Sequence, residues 1–208
     1  MPLSILESEM TDSTTVGEVA PRGRQGKRER LVAAARDLLY RQGVERTTLA
    51  DIAQVADVPV GNVYYYFKTK DDIVAAVVQS RVADVESMIA ALEDRHRSPK
   101  ARLKALVGLW SEQGDVMARY GCPLGTLCSE LAKRAGESDP LAAPLMDILL
   151  DWAEQQFRSM GQRNARELAL ELVVTWQGSA VLANALGQTE IMARQTKHLE
   201  KRIEKLQA

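Results

Sequence analysis

Three consecutive tyrosines, Tyr64 to Tyr66, and then Phe67 lie shortly before Lys70 in a sequence that is only 5% aromatic. Phenol hydroxyls and the ammonium group of a lysine are groups that bind phosphate oxygens. Asn62 carries an amide that can donate and accept hydrogen bonds in a pair, which matches the edge of adenine in the major groove of DNA. The stretch therefore predicts contact with a nucleic acid.

The charge of the chain is unevenly distributed, although its net charge is only −1. Residues 22–70 hold ten Lys and Arg against five Asp and Glu, a net charge of +5. The remainder holds 17 against 23, a net charge of −6. A basic first third joined to an acidic remainder predicts a polyanionic partner for the first part alone.

Apolar residues recur at helical spacing along most of the chain, and strand-like alternation is limited to a few residues, so the predicted fold class is all-α. We expect a flexible N-terminal tail over residues 1–23. A three-helix helix-turn-helix DNA-binding domain is expected over 24–70, and a helical effector-binding and dimerisation domain over 71–208. The expected helices span residues 27–42, 49–56, 60–67, 70–95, 99–119, 123–134, 141–160, 164–186 and 189–206.

The two short helices follow a longer one and are joined by a tight turn, which is the order of a helix-turn-helix motif. The second helix of such a motif lies in the major groove, where its N-terminal residues meet base edges. Thr47 or Thr48 is expected to cap the first short helix, and Thr69 to cap the long helix that follows. The residues predicted to contact DNA are Thr48, Ala50, Val60, Gly61, Asn62, Tyr64, Tyr65, Tyr66 and Lys70. Arg22 and Arg24 of the tail are predicted to follow the minor groove.

The stretch TLADIAQVADVPVGNVYYYFKTK, residues 48–70, resembles the DNA-binding signature of TetR-type transcriptional regulators. The resemblance is close over residues 27–78, and the remainder agrees in length and helix content. Asp57 stands where the turn usually holds glycine, and Asp tolerates a positive φ better than most residues. Pro59 stands where Ser or Thr is common, and a proline there suits the first residue of the recognition helix.

This resemblance implies a cytoplasmic homodimer that binds a palindromic operator in double-stranded DNA. It implies a repressor that a small-molecule effector releases from the operator, with no cofactor. Two apolar stripes are expected at the dimer interface, with coverage of the core within one subunit as the alternative. The first stripe is Leu168, Leu172, Thr175, Trp176, Ser179, Leu182, Ala183 and Leu186, with close approach allowed by Gly178 and Ala180; the second is Leu145, Ile148, Leu149, Trp152 and Gln156.

The effector is expected to be a small apolar or aromatic molecule, because aromatic and methionine side chains surround a few polar groups in the second half of the chain. For each of these residues, simple core packing is the alternative. The predicted ligand-binding residues are Leu106, Trp110, Met117, Tyr120, Cys122, Trp152, Trp176 and Gln177.

The two cysteines, Cys122 and Cys128, do not make a disulfide framework, which indicates a reducing cytoplasm. Cys122 precedes Pro123, so it is expected to cap a helix whose N-terminus would favour the thiolate. Arg119 would add to this effect. A second hypothesis is therefore a regulator that senses electrophiles or oxidants through Cys122, and the alternative is a small residue that packs in the core.

Catalysis and metal binding are not predicted. His96 and His198 lie in charged segments, and the sequence shows no phosphate-binding loop, zinc-ligand spacing or nucleophile elbow. No apolar run approaches the roughly 18–20 residues of a membrane span. A helical adaptor that binds only protein is the remaining alternative, suggested by the charged last helix; specific, salt-dependent DNA binding would separate it from the regulator.

Overall fold

The computed structural model describes residues 26–135 and 140–206, and the predicted all-α class is confirmed for them. The predicted tail, with Arg22 and Arg24, lies outside the described residues. The helices are α1 (Lys27–Gln42), α2 (Leu49–Val55), α3 (Val60–Tyr66), α4 (Lys70–Arg95), α5 (Pro99–Glu112), α6 (Gly114–Tyr120), α7 (Pro123–Ala135), α8 (Ala143–Ser159), α9 (Ala165–Leu186) and α10 (Glu190–Lys205).

The ends of the first helices follow local signals in the sequence. α1 ends at Gly43, whose φ of 87° is one that glycine adopts without strain. Thr48, and not Thr47, caps α2, and it forms a reciprocal capping box with Asp51. Thr47 is instead buried, and its hydroxyl donates to the carbonyl of Gly43 at 2.7 Å.

The turn between α2 and α3 contains both residues that depart from the usual signature. Asp57 has a φ of 52°, as expected at a position that usually holds glycine. It is the only described non-glycine residue with positive φ. The prediction for Pro59 was wrong by one residue. Pro59 is the N-cap, with φ −54° and ψ 134°, and Val60 is the first helical residue of α3. A proline at the cap forfeits no hydrogen bond, because N–H groups at a helix start have no intrahelical partner.

Helix α4 joins two hydrophobic cores. Its N-terminal half packs Ile73, Val74 and Val77 into a core with α1–α3, the predicted DNA-binding part. Leu92 near its C-terminus belongs to a second core, that of the helical body formed by α5–α10. As predicted, Thr69 caps this helix, in a second capping box with Asp72. The first core also contains leucines of α7 and α8, so the DNA-binding part and the body share packed surface. These leucines are Leu127, Leu131 and Leu145.

The body core is built from α5, α6, α8, α9 and α10, with the end of α4. The single helix expected over 99–119 is wrong, because the chain breaks at Gln113 between α5 and α6. The N–H of Gln113 bonds the carbonyl of Trp110 instead of the one four residues back. Gly114 then packs against Met192 of α10. The apolar spacing continues across this break, so periodicity alone does not reveal it.

The stripes predicted for the dimer interface mostly face the core of the single subunit. On α9, Leu172, Trp176, Ser179 and Ala183 are buried, because this face packs against α6, α8 and α10. On α8, Leu145, Leu149, Trp152 and Gln156 are buried as well. Leu182 and Leu186 of the predicted stripe are exposed, and so are Leu170, Val174 and Val181 on the face opposite Trp176.

Among the described helices, α9 has the length and composition of a possible membrane span, with a mean hydropathy of 1.2 in its most apolar window. One face of α9 lies in the body core, where Ala169, Leu172 and Trp176 are buried. We therefore interpret α9 as a core helix that is apolar on two sides.

Candidate nucleic-acid interface and its junction with the body

Helix α3 buries one side and exposes the other. Val63 and the following Phe67 are buried in the first core, and Tyr66 is half-buried against it. Tyr64 and Tyr65 are exposed, and Tyr65 retains 78% of its accessible surface. Successive residues of a helix are rotated by about 100°, so a run of tyrosines has to be divided between the two sides. The predicted division is therefore present, with Tyr66 as the inward member.

The outward side of α3 also carries Val60 and Gly61, and both are exposed, with Asn62 half-buried beside them. A Cβ added at Gly61 would meet no atom within 4 Å, and its φ lies outside the positive range. Neither packing nor backbone conformation within the chain therefore requires a glycine here. In a helix, glycine is less stable than alanine by roughly 0.5–1 kcal/mol.

Around α3 lie the other residues predicted to contact DNA. Thr48 and Ala50 are exposed at the start of α2. The Thr48 hydroxyl donates to Asp51 at 2.7 Å, and these hydrogen bonds lower the pKa of the Asp51 carboxyl. Lys70 lies at the start of α4, where its ammonium donates to the carbonyl of Glu45 at 3.1 Å. Lys68 donates in the same way to the carbonyl of Tyr64 at 2.8 Å.

Polar contacts of Tyr40, Val44 and Arg134 join the DNA-binding part to the body. The Tyr40 hydroxyl of α1 donates to the carbonyl of Gly121, between α6 and α7, at 2.7 Å. The backbone N–H of Val44 donates to the Glu130 carboxylate of α7 at 2.5 Å. Arg134 of α7 pairs with Glu45 at 3.1 Å and with Asp71 of α4 at 2.5 Å. Helix α7 thus holds the loop after α1 and the start of α4 together.

Burial at this junction shifts the pKa of two groups. Desolvation, with a smaller contribution from Cys122, raises the pKa of Tyr40 to about 12. Desolvation, followed by the nearby charge of Arg36, lowers the pKa of Arg81, whose guanidinium lies 6.0 Å from the Tyr40 ring centre. The Tyr40 side chain is therefore kept as a neutral hydrogen-bond donor to the body.

The two cysteines lie on the body side of the junction, and both are free thiols. Cys122 directly precedes α7, as predicted, but it is only 6% exposed. Burial raises the pKa of Cys128 to about 11. The Arg119 guanidinium lies over the Tyr120 ring, 5.2 Å from its centre, and its predicted effect on Cys122 stays a prediction.

Most of the predicted ligand-binding residues belong to the body core. Trp110 and Trp176 stack with ring centres 4.5 Å apart and planes at 23°. Trp152 lies in the same core and donates its indole N–H to Glu93 of α4 at 2.9 Å. The remaining buried members of the predicted set are Leu106, Met117 and Cys122.

Two predicted ligand-binding residues lie at the edge of this core. Tyr120 is half-exposed and packs against Tyr40 of α1, with ring centres 5.5 Å apart, so it belongs to the junction. Gln177 of α9 is also half-exposed; it lies against the backbone of Gly125 in α7 and contacts the Met146 sulfur of α8 at 3.7 Å. The structure thus brings six predicted residues into one core and places two at its margin.

Sequence reasoning missed the junction residues Tyr40, Glu130 and Arg134, and the exposed face of α9. No local pattern marks the junction, because its bonded partners are far apart along the chain, for example 63 positions for Asp71 and Arg134 and 86 for Val44 and Glu130. The α9 face did leave a signal. Leu170, Val174 and Val181 recur at helical spacing opposite Trp176, so the helix is apolar on both sides, which a soluble helix with a single buried face does not need.

The comparisons with known proteins agree with this geometry. Residues 31–77 match the family described as "Bacterial regulatory proteins, tetR family". An uncharacterised HTH-type transcriptional regulator from the lacX 3' region of Lactococcus lactis subsp. lactis is 30% identical over 107 residues, which are 50% of this chain and 55% of that protein. The match thus spans about half of that relative's length.

Longer similarities extend into the body. The HTH-type transcriptional repressor DhaR of Mycobacterium sp. strain GP1 is 28% identical over 163 residues, covering 73% of this chain and 79% of that protein. The crystal structure of a TetR-family regulator from Streptomyces coelicolor superposes with a TM-score of 0.73 at 15% identity, over 88% of this chain and 96% of that one. Residues 31–77 therefore carry the DNA-binding domain of the TetR family of bacterial regulatory proteins, and the chain as a whole has the fold of solved TetR-family regulators.

Proposed function

We propose that this protein is a homodimeric repressor that binds a palindromic DNA operator through α3 and leaves it when a small apolar or aromatic effector binds the body. The observation that carries the proposal is the outward side of α3. It presents exposed aromatic and apolar groups around a glycine that nothing inside the chain requires. Recognition helices in the major groove need such close approach.

The DNA contacts divide into two kinds. Lys70, Tyr64 and Tyr65 are placed around α3 with groups suited to phosphate oxygens, which fix position without reading sequence. Asn62 lies near the N-terminus of α3, where a paired hydrogen bond to adenine would read one base pair. The carbonyl contact of Lys70 in the free protein is exposed, so exchanging it for a phosphate has little cost.

A second copy of the chain is the partner that suits the exposed face of α9. Val174 and Val181 are each 65% exposed, and between them Gly178 carries no side chain and has no atom within 4 Å of a virtual Cβ. A soluble protein rarely leaves so continuous an apolar face uncovered. Pairing of this face about a twofold axis also supplies the two recognition helices that a palindrome requires.

In this proposal, the junction transmits a displacement from the body to the DNA-binding part, and this displacement releases the DNA. An effector that enters the body has to separate packed side chains such as Trp110 and Trp176, and this movement displaces α6 and α7. Because α7 is bonded to Val44 and Asp71, its displacement shifts the loop before α2 and the start of α4. A shift of a few ångströms changes the spacing of the two recognition helices against half-sites about 34–36 Å apart.

The experiment is selection of bound duplexes from a random pool by the full-length protein, followed by mobility shifts at fixed salt. Lys70→Ala should weaken binding to all sequences and reduce the salt slope by about one. Asn62→Ala should instead relax preference at one base position, at a cost of about 1–3 kcal/mol. Equal affinity of both variants and the parent for every duplex would contradict the proposal.

Thiol sensing through Cys122 is less favoured by the geometry. Cys122 is buried, which limits the access of an oxidant or electrophile to its sulfur. Cys122→Ser should keep a reversible effector response, whereas Trp110→Ala should change effector affinity and leave operator affinity of the free protein unchanged. A Cys122→Ser protein that no longer releases DNA, beside a fully responsive Trp110→Ala, would reverse this order.

A further inference from the structure

We propose that Val60 reads one thymine in each operator half-site, by contact of its methyl groups with the thymine 5-methyl group in the major groove. This role rests on the proposed function and assigns the base that one residue of α3 recognises. Asn62, two positions along, is the polar counterpart that was assigned to adenine.

The placement of Val60 is unusual for a valine of this domain. Val44, Val58 and Val63 are buried, whereas Val60 is 46% exposed at the first position of α3. Val55 is exposed as well, but it ends α2, which is not the helix that enters the groove. Val60 is thus an apolar side chain held at the end of the recognition helix that meets base edges.

The chemistry of the groove leaves one favourable partner for such a side chain. Valine has neither donor nor acceptor, so it can bond neither phosphate nor the polar edges of adenine, guanine or cytosine. Placed against a polar edge, it would remove water without replacing the lost hydrogen bonds, which is unfavourable. The thymine methyl group is the apolar feature that the major groove presents.

The arrangement of α3 lets Val60 act independently of Asn62. At about 100° per residue, Val60 and Tyr64 share one flank of the outward side, and Asn62 lies about 200° from Val60 on the other flank. Gly61 lies between them without a side chain and with open space around it. Both flanks can therefore approach different base pairs of the same half-site.

The test combines a protein methyl deletion with a DNA methyl deletion. Each thymine of the selected operator is replaced in turn by deoxyuridine, which removes only the 5-methyl group, and the affinities of the parent and Val60→Ala are measured. In the parent, one thymine per half-site should show about a fourfold loss, the effect of burying one methyl-sized group. In Val60→Ala that thymine should become insensitive, with the other positions unchanged.

Val116→Ala is the matched control, because Val116 is 50% exposed on α6 of the body. It should reproduce the deoxyuridine profile of the parent. If Val60 only steadied α3, Val60→Ala would weaken thymine and deoxyuridine operators by the same factor, and this would overturn the inference. If no single deoxyuridine substitution weakens binding to the selected operator, the inference about Val60 is overturned and the proposed function is not. If the selection enriches no sequence, the proposed function is rejected together with the inference.

Discussion

Aromatic side chains in the two regions of the molecule are placed in opposite ways. In the DNA-binding part, Tyr64 and Tyr65 extend outward from α3, where they contribute little to folding. In the body, Trp110 and Trp176 stack inside the core, and Trp176 is only 4% exposed. The exposed rings gain burial only from a partner outside the chain, whereas the buried rings already have their partners.

This difference separates how the two regions would bind. The DNA-binding surface is formed in the free protein and needs little rearrangement. The proposed effector would have to replace contacts that the core already makes, so its apparent affinity would be reduced by the fraction of molecules that are open. In this proposal the same cost would couple the effector to DNA, since opening would displace α6 and α7.

The largest expected effects come from exchanging one ring in each region for alanine. Trp176→Ala should lower the free energy of unfolding by about 3–5 kcal/mol, because it leaves a cavity in the core. Tyr65→Ala should change it by less than about 0.5 kcal/mol, as for other surface positions. Operator affinity should show the opposite order of the two variants. Tyr65→Ala should weaken operator binding about tenfold, roughly the free energy of one hydrogen bond to a charged group. Urea titrations and mobility shifts measure the two quantities, and similar unfolding losses in both variants would remove the contrast.

A charge on the exposed face of α9 should separate the subunits without unfolding them. Val181→Asp is expected to give a monomer and to weaken operator binding by about 100-fold, since the second half-site no longer adds to the first. Light scattering after gel filtration gives the mass, and Val181→Ala is the control that should remain a dimer. A Val181→Asp dimer with normal affinity would place the interface elsewhere.

Glycines in two helices offer a smaller but sharper comparison. Gly61→Ala should stabilise the fold by roughly 0.5–1 kcal/mol and still weaken operator binding, because the methyl group stands between α3 and the bases. Gly108→Ala in α5 is the matched control, since a Cβ there also meets no atom within 4 Å. It should stabilise the fold in the same way with unchanged DNA affinity. Equal operator affinity in both variants would show that Gly61 is not at the DNA surface.

The smallest effect concerns alkaline pH. The pKa of Tyr40 is raised to about 12, above its ordinary value of 10.0, so the folded protein keeps a proton that the unfolded chain loses. The stability from this difference is fully present below pH 10 and is lost as the pH rises toward 12. In reducing buffer, Tyr40→Phe should therefore show a shallower fall of the urea midpoint above about pH 10. An identical fall in both proteins would mean that Tyr40 is not the group responsible.

The two regions also differed in how far sequence could predict them. The caps Thr48 and Thr69, the helix stop at Gly43 and the inward place of Phe67 depend on neighbours within a few positions, so local patterns were sufficient. The break at Gln113 was invisible because the apolar spacing continues across it. Most of the stripe predicted on α9 lies in the core of one subunit, which was the stated alternative, since periodicity identifies a buried face without telling which surface buries it.

The junction shows the remaining limit in physical terms. Glu130 is the single acidic residue of α7, and its role depends on a backbone N–H 86 positions earlier. The predicted effector residues met a similar limit, because a core aromatic and a ligand-lining aromatic have the same sequence pattern. The stack of Trp110 on Trp176 is a property of tertiary packing.

Chemical footprinting of the major groove on the selected operator tests the central claim most directly. We expect two protected patches related by twofold symmetry, with centres about 34–36 Å apart or a multiple of it, each including the thymine assigned to Val60. Gly61→Ala should weaken both patches together. Protection confined to the minor groove, or one patch without a symmetric mate, would contradict a dimer that docks α3 into two successive major grooves.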